Sequence, residues 1–216
     1  MTPLPQKAIA KAILNNHGQT YAQQAGIRLR DAPAPLFQLL SASVLMSSPV
    51  ENDKALQATA ALRKAALDTP KKMAEASRDT RAEVIGTHGY EQLNLQGSKQ
   101  LGKTAEFLLR RYYGDLRQLR AEAGHDVAME HRLLRQFNGV GKSGADIFLR
   151  EIQGLWHEVY PYADDRVMAA ARKLNLPGDA FRLSRLVARV DFPRLVAGID
   201  RIAQSDHPNL LIAEMG

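Results

Sequence analysis

Apolar residues recur along this chain at the helical period, and no convincing run of alternating β-branched residues appears. The spacing predicts a first helix over roughly residues 5–25, after which Arg30-Asp31-Ala32-Pro33-Ala34-Pro35 breaks the chain. Leu36, Leu39, Leu40 and Val44 define the next apolar face, ending near Ser47-Ser48-Pro49. Helices follow at about 52–67 and 78–86. In segment 99–113, Leu101, Ala105, Leu108, Leu109 and Tyr112 make a core stripe, while Lys99, Lys103, Arg110 and Arg111 lie off it as a solvated face. Residues 179–190 repeat that design, with Leu183, Leu186, Val187 and Val190 on the stripe and Arg182, Arg185 and Arg189 beside it. Leu176-Pro177-Gly178-Asp179 separates this helix from the one before it. The expected fold class is all-α.

One punctuation in this pattern carries chemistry. Arg135-Gln136-Phe137-Asn138-Gly139-Val140-Gly141-Lys142-Ser143-Gly144-Ala145 lies between two helical stretches. Met129, Leu133 and Phe137 recur upstream; Ala145, Phe148, Leu149 and Ile152 follow the i, i+3, i+4, i+7 pattern downstream. Gly139 and Gly141 can take left-handed conformations and let the backbone approach a ligand. The second helix starts there with unpaired N–H donors and the positive end of its dipole, an arrangement that accepts phosphate. Lys142 adds a mobile positive charge. A nucleotide-binding P-loop is excluded: it needs a glycine where Gln136 stands, and it follows a strand rather than a helix.

Composition narrows the picture. Lys plus Arg number 29 against 23 acidic residues among 216, a net charge of +6 that favours a polyanionic partner. Hydrophobic content of 45% argues against disorder. The absence of cysteine excludes disulfides, thiolate zinc sites and cysteine-held iron–sulfur clusters. The six histidines show no metal-ligand spacing, so no catalytic metal is expected. Met1-Thr2-Pro3-Leu4-Pro5 has no apolar core of signal-peptide length, and no apolar run has the length of a membrane span. A cytoplasmic, nucleoid-associated protein is the expectation.

Downstream comes Tyr162-Ala163-Asp164-Asp165-Arg166-Val167. Val167, Ala170, Ala171 and Leu174 have helical spacing, which puts Asp164 at the N-cap or first turn of a helix. Aspartate is a favoured cap, and an acidic pair at a helix start also compensates the dipole.

The Gly139-Val140-Gly141 turn, the helix after it, and a loop ending in Asp164 at the next helix start together resemble the helix-hairpin-helix (HhH-GPD) DNA glycosylase superfamily. Endonuclease III and the adenine and 3-methyladenine glycosylases are familiar members. Leu36–Leu45 resembles the family's early core helix, and Gly97-Ser98-Lys99 followed by Ala105 resembles the start of its central helix. The resemblance covers roughly residues 35–175. It implies two helical lobes with the substrate cleft between them: one contiguous, residues 31–154, and one built from 1–30 plus 155–216. It implies that Gly139, Val140, Gly141, Lys142 and Ser143 meet the DNA backbone. Asp164 matches the catalytic aspartate. Backbone carbonyls of Arg135, Phe137 and Val140 would hold a monovalent cation, K+ or Na+. The implied partner is double-stranded DNA containing a damaged base, bound by a monomer.

Departures from the family pattern shape the expected reaction. Strand-cleaving members carry a lysine at the position of Ser143, and serine cannot form a Schiff base with the sugar. Lys142 sits one position away, about 100° around a helix. Asn138 replaces the usual proline, and the absent cysteines remove the iron–sulfur cluster of endonuclease III. The expected activity is a monofunctional glycosylase, with alkylated purines favoured. A non-catalytic DNA-binding module and an endonuclease III-like strand-cleaving enzyme are the alternatives. Hydrolysis of an N-glycosidic bond needs one carboxylate near the sugar cation; Asp164 is the choice and Asp165 the nearest rival. A flipped base needs a pocket, for which Tyr90, Tyr112, Tyr113, Trp156, Tyr160 and Tyr162 are candidates. Ser48, or Leu95 with Gln96, would fill the gap left in the duplex.

Overall fold

In a computed structural model of the chain, residues 5–87 and 94–205 are described. Every regular element among them is helical. In chain order these are α1 (Gln6–His17), α2 (Tyr21–Gln24), α3 (Pro33–Met46), α4 (Asn52–Lys64), α5 (Pro70–Glu75), α6 (Arg78–Ile85) and α7 (Asn94–Tyr112). They continue with α8 (Leu116–Glu122), α9 (Val127–Leu134), α10 (Lys142–Ile152), α11 (Asp165–Lys173), α12 (Ala180–Ser184) and α13 (Phe192–Gln204). Single 3-10 turns occupy His157–Val159 and Arg189–Asp191. The chain is all-α, as its periodicity predicts.

Three expected elements differ from the observed ones. The first helix divides into α1 and α2 at Gly18, where a Cβ would collide with the Leu14 carbonyl. The Gly18 N–H closes the last turn of α1 on that carbonyl at 3.2 Å. The break at 30–35 is itself a helix start: Pro33 opens α3, a position where a missing N–H costs nothing because no partner exists for it. The stripe over 179–190 does not stay helical. It stops after Ser184, passes through Arg189–Asp191 and restarts as α13. Pro193, in the first turn of α13, has no N–H to bond back to the preceding turn. Val190 is consequently exposed rather than in the stripe.

The chain divides into two compact units, Ala22–Leu149 and the pair of segments Met1–Tyr21 and Arg150–Gly216. Its passages between them fall at 21/22 and 149/150, so Arg150, expected with the contiguous segment, belongs with the discontinuous unit.

In the Ala22–Leu149 unit, α3 is buried along almost its whole length, from Leu36 to Met46, and packs against α4, α7 and α8. α7 in turn packs against α5 and α6. A buried Arg81 ties these together, donating to the carbonyls of Met73 (2.8 Å), Ala76 (2.6 Å) and Ser98 (3.0 Å). It thereby satisfies carbonyls at the end of α5 that have no intrahelical donor. Gly102 makes room for its guanidinium on α7.

The other unit packs α1 and α11 against α13. Ala10, Ile13, Val167, Ala171, Leu183, Phe192, Leu195 and Ile199 are among its core residues. Two arginines of α13 cap the end of α1: Arg194 donates to Gly18 O (2.6 Å), and Arg201 donates to His17 O (2.5 Å) and Gln19 O (3.1 Å). Cations at a helix C-terminus complement its partial negative charge.

Candidate functional site

The turn between α9 and α10 is built by contiguous residues and rests on α7. Phe137 is buried, stacked on Tyr112 at 6.0 Å between ring centroids and edge-on to Phe107 at 4.9 Å. Thr104 on α7 donates to Asn138 O at 2.7 Å, and Val140 N–H closes on Phe137 O at 3.1 Å. Gly139 has φ +85°, and a Cβ there would press on Gln100. This position therefore needs glycine twice over, for backbone angle and for space.

The three glycines of the segment do different things. Gly141 is not left-handed, against expectation, and a Cβ there would meet nothing within 4 Å. It is exposed, as are Lys142 and Ser143, whereas Val140 is buried. The first turn of α10 carries no acidic residue, so no carboxylate of that turn compensates the positive end of its dipole. Gly144 faces inward, where a side chain would collide with Ser47 Oγ on the end of α3. Of the carbonyls expected to hold a cation, Phe137 O already accepts the Val140 N–H, while carbonyl oxygens keep a second lone pair for a further ligand.

Asp164 is the N-cap of α11. Its Oδ1 accepts from the Arg166 N–H (3.0 Å) and the Val167 N–H (3.3 Å). Its side chain is 7% exposed. Asp165, one residue on, is exposed at the first position of the helix. The loop that delivers Asp164 is held by a fully buried residue that periodicity did not single out. Gln153 accepts from Tyr162 N–H (2.9 Å) and donates to Tyr162 O (3.0 Å) and Arg150 O (2.9 Å).

The second oxygen of Asp164 faces Arg150, in the last turn of α10. Nη1 of Arg150 stands 3.1 Å from Asp164 Oδ2 and 3.0 Å from Asp200 Oδ1, at ion-pair distance from both carboxylates and in hydrogen-bond geometry to neither. Arg150 is 3% exposed and Asp200 fully buried. Asp200 also meets Arg166 Nη2 at 2.7 Å and accepts from Tyr21 OH (2.8 Å) and Gln204 Nε2 (2.9 Å). Two carboxylates and two guanidiniums make the cluster formally neutral, which is how buried charge is tolerated. Burial opposes the charge on Arg150, but Asp200 and Asp164 outweigh it and raise its pKa above the ordinary arginine range. Burial, then the neighbouring Asp200 charge, push the Tyr21 hydroxyl well above the usual tyrosine range.

The other expected residues scatter. Tyr112 and Trp156 are core side chains. Tyr113 is 88% exposed on a left-handed backbone, Tyr160 and Tyr162 are half-buried, and Tyr90 lies outside the described residues. Tyr160 packs edge-on against Phe192 and lies under the Arg189 guanidinium. Leu95, on the first turn of α7, is 51% exposed, Gln96 is exposed beside it, and Ser48 is half-buried. Among the described residues no group of three or more metal-ligating side chains forms, and no helix is long and apolar enough to cross a membrane.

No model of a known protein family matches the chain, and no curated protein matches it.

Proposed function

We propose that this protein excises a damaged base, with alkylated purines favoured, from double-stranded DNA by hydrolysing the N-glycosidic bond. In this reading α9, the glycine turn and α10 are a helix-hairpin-helix that grips the phosphodiester backbone through the amides around Gly139–Gly141, with Lys142 and Ser143 beside them. The carbonyls of Arg135, Phe137 and Val140 are neutral oxygen donors of the kind a monovalent cation takes. Asp164 is the reacting carboxylate. As the base departs, positive charge builds on the sugar; a fixed carboxylate in a site of low water content stabilises that charge and can orient water.

The observation that carries the reading is the state of Asp164. Its side chain is largely dry, one oxygen is fixed by two helix amides, and the loop before it is clamped by Gln153. A preorganised acid of this kind costs no reorganisation when charge develops. The product is expected to be an intact strand bearing an abasic site, since Ser143 offers no amine for a Schiff base.

One observation favours a second reading. One oxygen of Asp164 caps α11 and the other is ion-paired with Arg150, which also suits an acid that only ties α11 to the end of α10 in a non-catalytic DNA-binding module. Release of free purines from a methylated duplex, with strand breaks scored before and after alkali, separates the two. The glycosylase releases base and gives alkali-dependent breaks; the binding module retains the duplex and releases nothing.

A further inference from the structure

Asp164 could cap α11 without any buried cation near it, because a cap needs only the backbone amides. The chain nevertheless takes Arg150 out of water beside it, and then takes a second carboxylate, Asp200, out of water to share the same nitrogen. A buried charge of this kind is costly, and a cluster of apolar residues would hold α10, α11 and α13 together at least as well. The geometry is asymmetric. Asp200 is met by both Arg150 and Arg166 and by the Tyr21 and Gln204 donors. Asp164 meets one guanidinium nitrogen, on one oxygen, and that nitrogen is already held 3.0 Å from Asp200.

We propose that Arg150, tethered by Asp200, is the positioning residue for the Asp164 carboxylate: its charge holds Oδ2 toward the guanidinium, while Asp200, paired with the same nitrogen, keeps the guanidinium from turning wholly to Asp164. The proposal rests on the reading of Asp164 as the reacting acid. Arg150 touches neither DNA nor the reacting sugar in it; Arg150 acts through Asp164. Without Asp200, the guanidinium would turn wholly to Asp164 and cancel the charge that the sugar cation needs. Without Arg150, two buried carboxylates would repel and Oδ2 would lose its direction. A displacement of the order of 1 Å in a catalytic group costs about 100-fold in rate.

The test uses the full chain in excess over a methylated DNA duplex, so that the rate constant for purine release is independent of how much protein is folded. Affinity for a duplex carrying a tetrahydrofuran abasic analogue and the thermal midpoint are measured alongside. Arg150→Met is expected to slow release about 100-fold with abasic-site affinity within twofold of the natural chain. Arg150→Lys keeps the charge with a shorter reach, and is expected to recover to within about tenfold. A merely structural arginine would lower the midpoint and leave the rate constant of the folded fraction unchanged, and that result overturns the proposal. Should Arg150→Met not fold, Arg150→Lys decides: release severalfold slower than the natural chain supports the role, and an unchanged rate constant overturns it. Asp164→Asn is the control for the underlying reading. If Asp164→Asn is inactive while both Arg150 variants keep the natural rate, the positioning role alone fails; if Asp164→Asn is fully active, the reading beneath it fails.

Discussion

The glycine turn and the Arg150 cluster are opposite solutions to holding a polar group. The turn is assembled from neighbours in sequence, is exposed at Asn138, Gly141, Lys142 and Ser143, and is held by backbone groups that do not titrate. The cluster is buried and assembled from Tyr21, Arg150, Asp164, Arg166 and Asp200, residues up to 179 positions apart. Substitutions in the turn should therefore change what the protein binds more than whether it folds. Substitutions in the cluster should lower stability first, and at Asp164 and Arg150 the proposed roles add a loss of reaction rate.

The largest expected effect on stability comes from breaking the cluster on one side. Arg150→Met leaves two buried carboxylates short of a cation and should cost about 3–5 kcal/mol, read from chemical denaturation. Lys142→Ala, on the exposed start of α10, should stay within about 0.5 kcal/mol of the natural chain. Equal costs at the two positions would erase the contrast.

A pair of glycine substitutions divides the turn itself. Gly139→Val forces a β-branched residue to φ +85° against Gln100 and should cost about 1–3 kcal/mol in stability, as strained positions do. Gly141→Val meets open space within the protein, so its folding cost should be small. Its Cβ would instead keep a phosphate from the amides, lowering duplex affinity about tenfold on every sequence alike. The affinity of the natural chain should fall steeply with salt as displaced counterions are released. Salt-independent binding would remove phosphate contact from the account.

A chemical end point tests Ser143. Borohydride added during turnover should trap little or no covalent protein–DNA adduct, because no amine stands at that position. Efficient trapping would make Lys142 the first suspect and place the chain with strand-cleaving enzymes.

The smallest expected effect is a pH dependence. Tyr21 in the folded chain releases its proton at higher pH than in the unfolded chain, where the ordinary value is about 10. Its contribution to stability is therefore complete below about pH 10 and is lost as pH rises through the folded value, because the unfolded state ionises first. Stability should decline through the alkaline range, and Tyr21→Phe should flatten that decline. An unchanged slope in Tyr21→Phe would mean that the hydroxyl is not buried beside Asp200 as described.

The same contrast explains what could be read from the sequence. α3, α7 and α10 announce themselves because each presents an apolar stripe, and the glycine turn because its residues are adjacent. Local spacing alone puts Asp164 at the N-cap or first turn of a helix. Arg150, Asp200 and Tyr21 carry no local signal: each is a polar residue in a helical pattern, and only the fold brings the start of α2 and the last turn of α10 to α13. Gln153 is hidden for the same reason, since its partner is the backbone of Tyr162. α5, α8 and α13 lie outside the predicted helices, although Thr69-Pro70, Asp115-Leu116 and Asp191-Phe192-Pro193 are readable helix starts. The stripe over 179–190 misleads because its helical spacing persists beyond Ser184, where α12 ends.

The most direct test of the central claim is purine release from methylated duplex DNA by the natural chain and by Asp164→Asn, with abasic-analogue binding measured on both. Asparagine keeps the size and much of the capping ability while removing the charge. The account predicts free purine and an alkali-labile intact strand from the natural chain. From Asp164→Asn it predicts near-complete loss of release with binding retained or improved. Release by Asp164→Asn at the natural rate would contradict it; activity lost only in Asp165→Asn would move the acid by one residue.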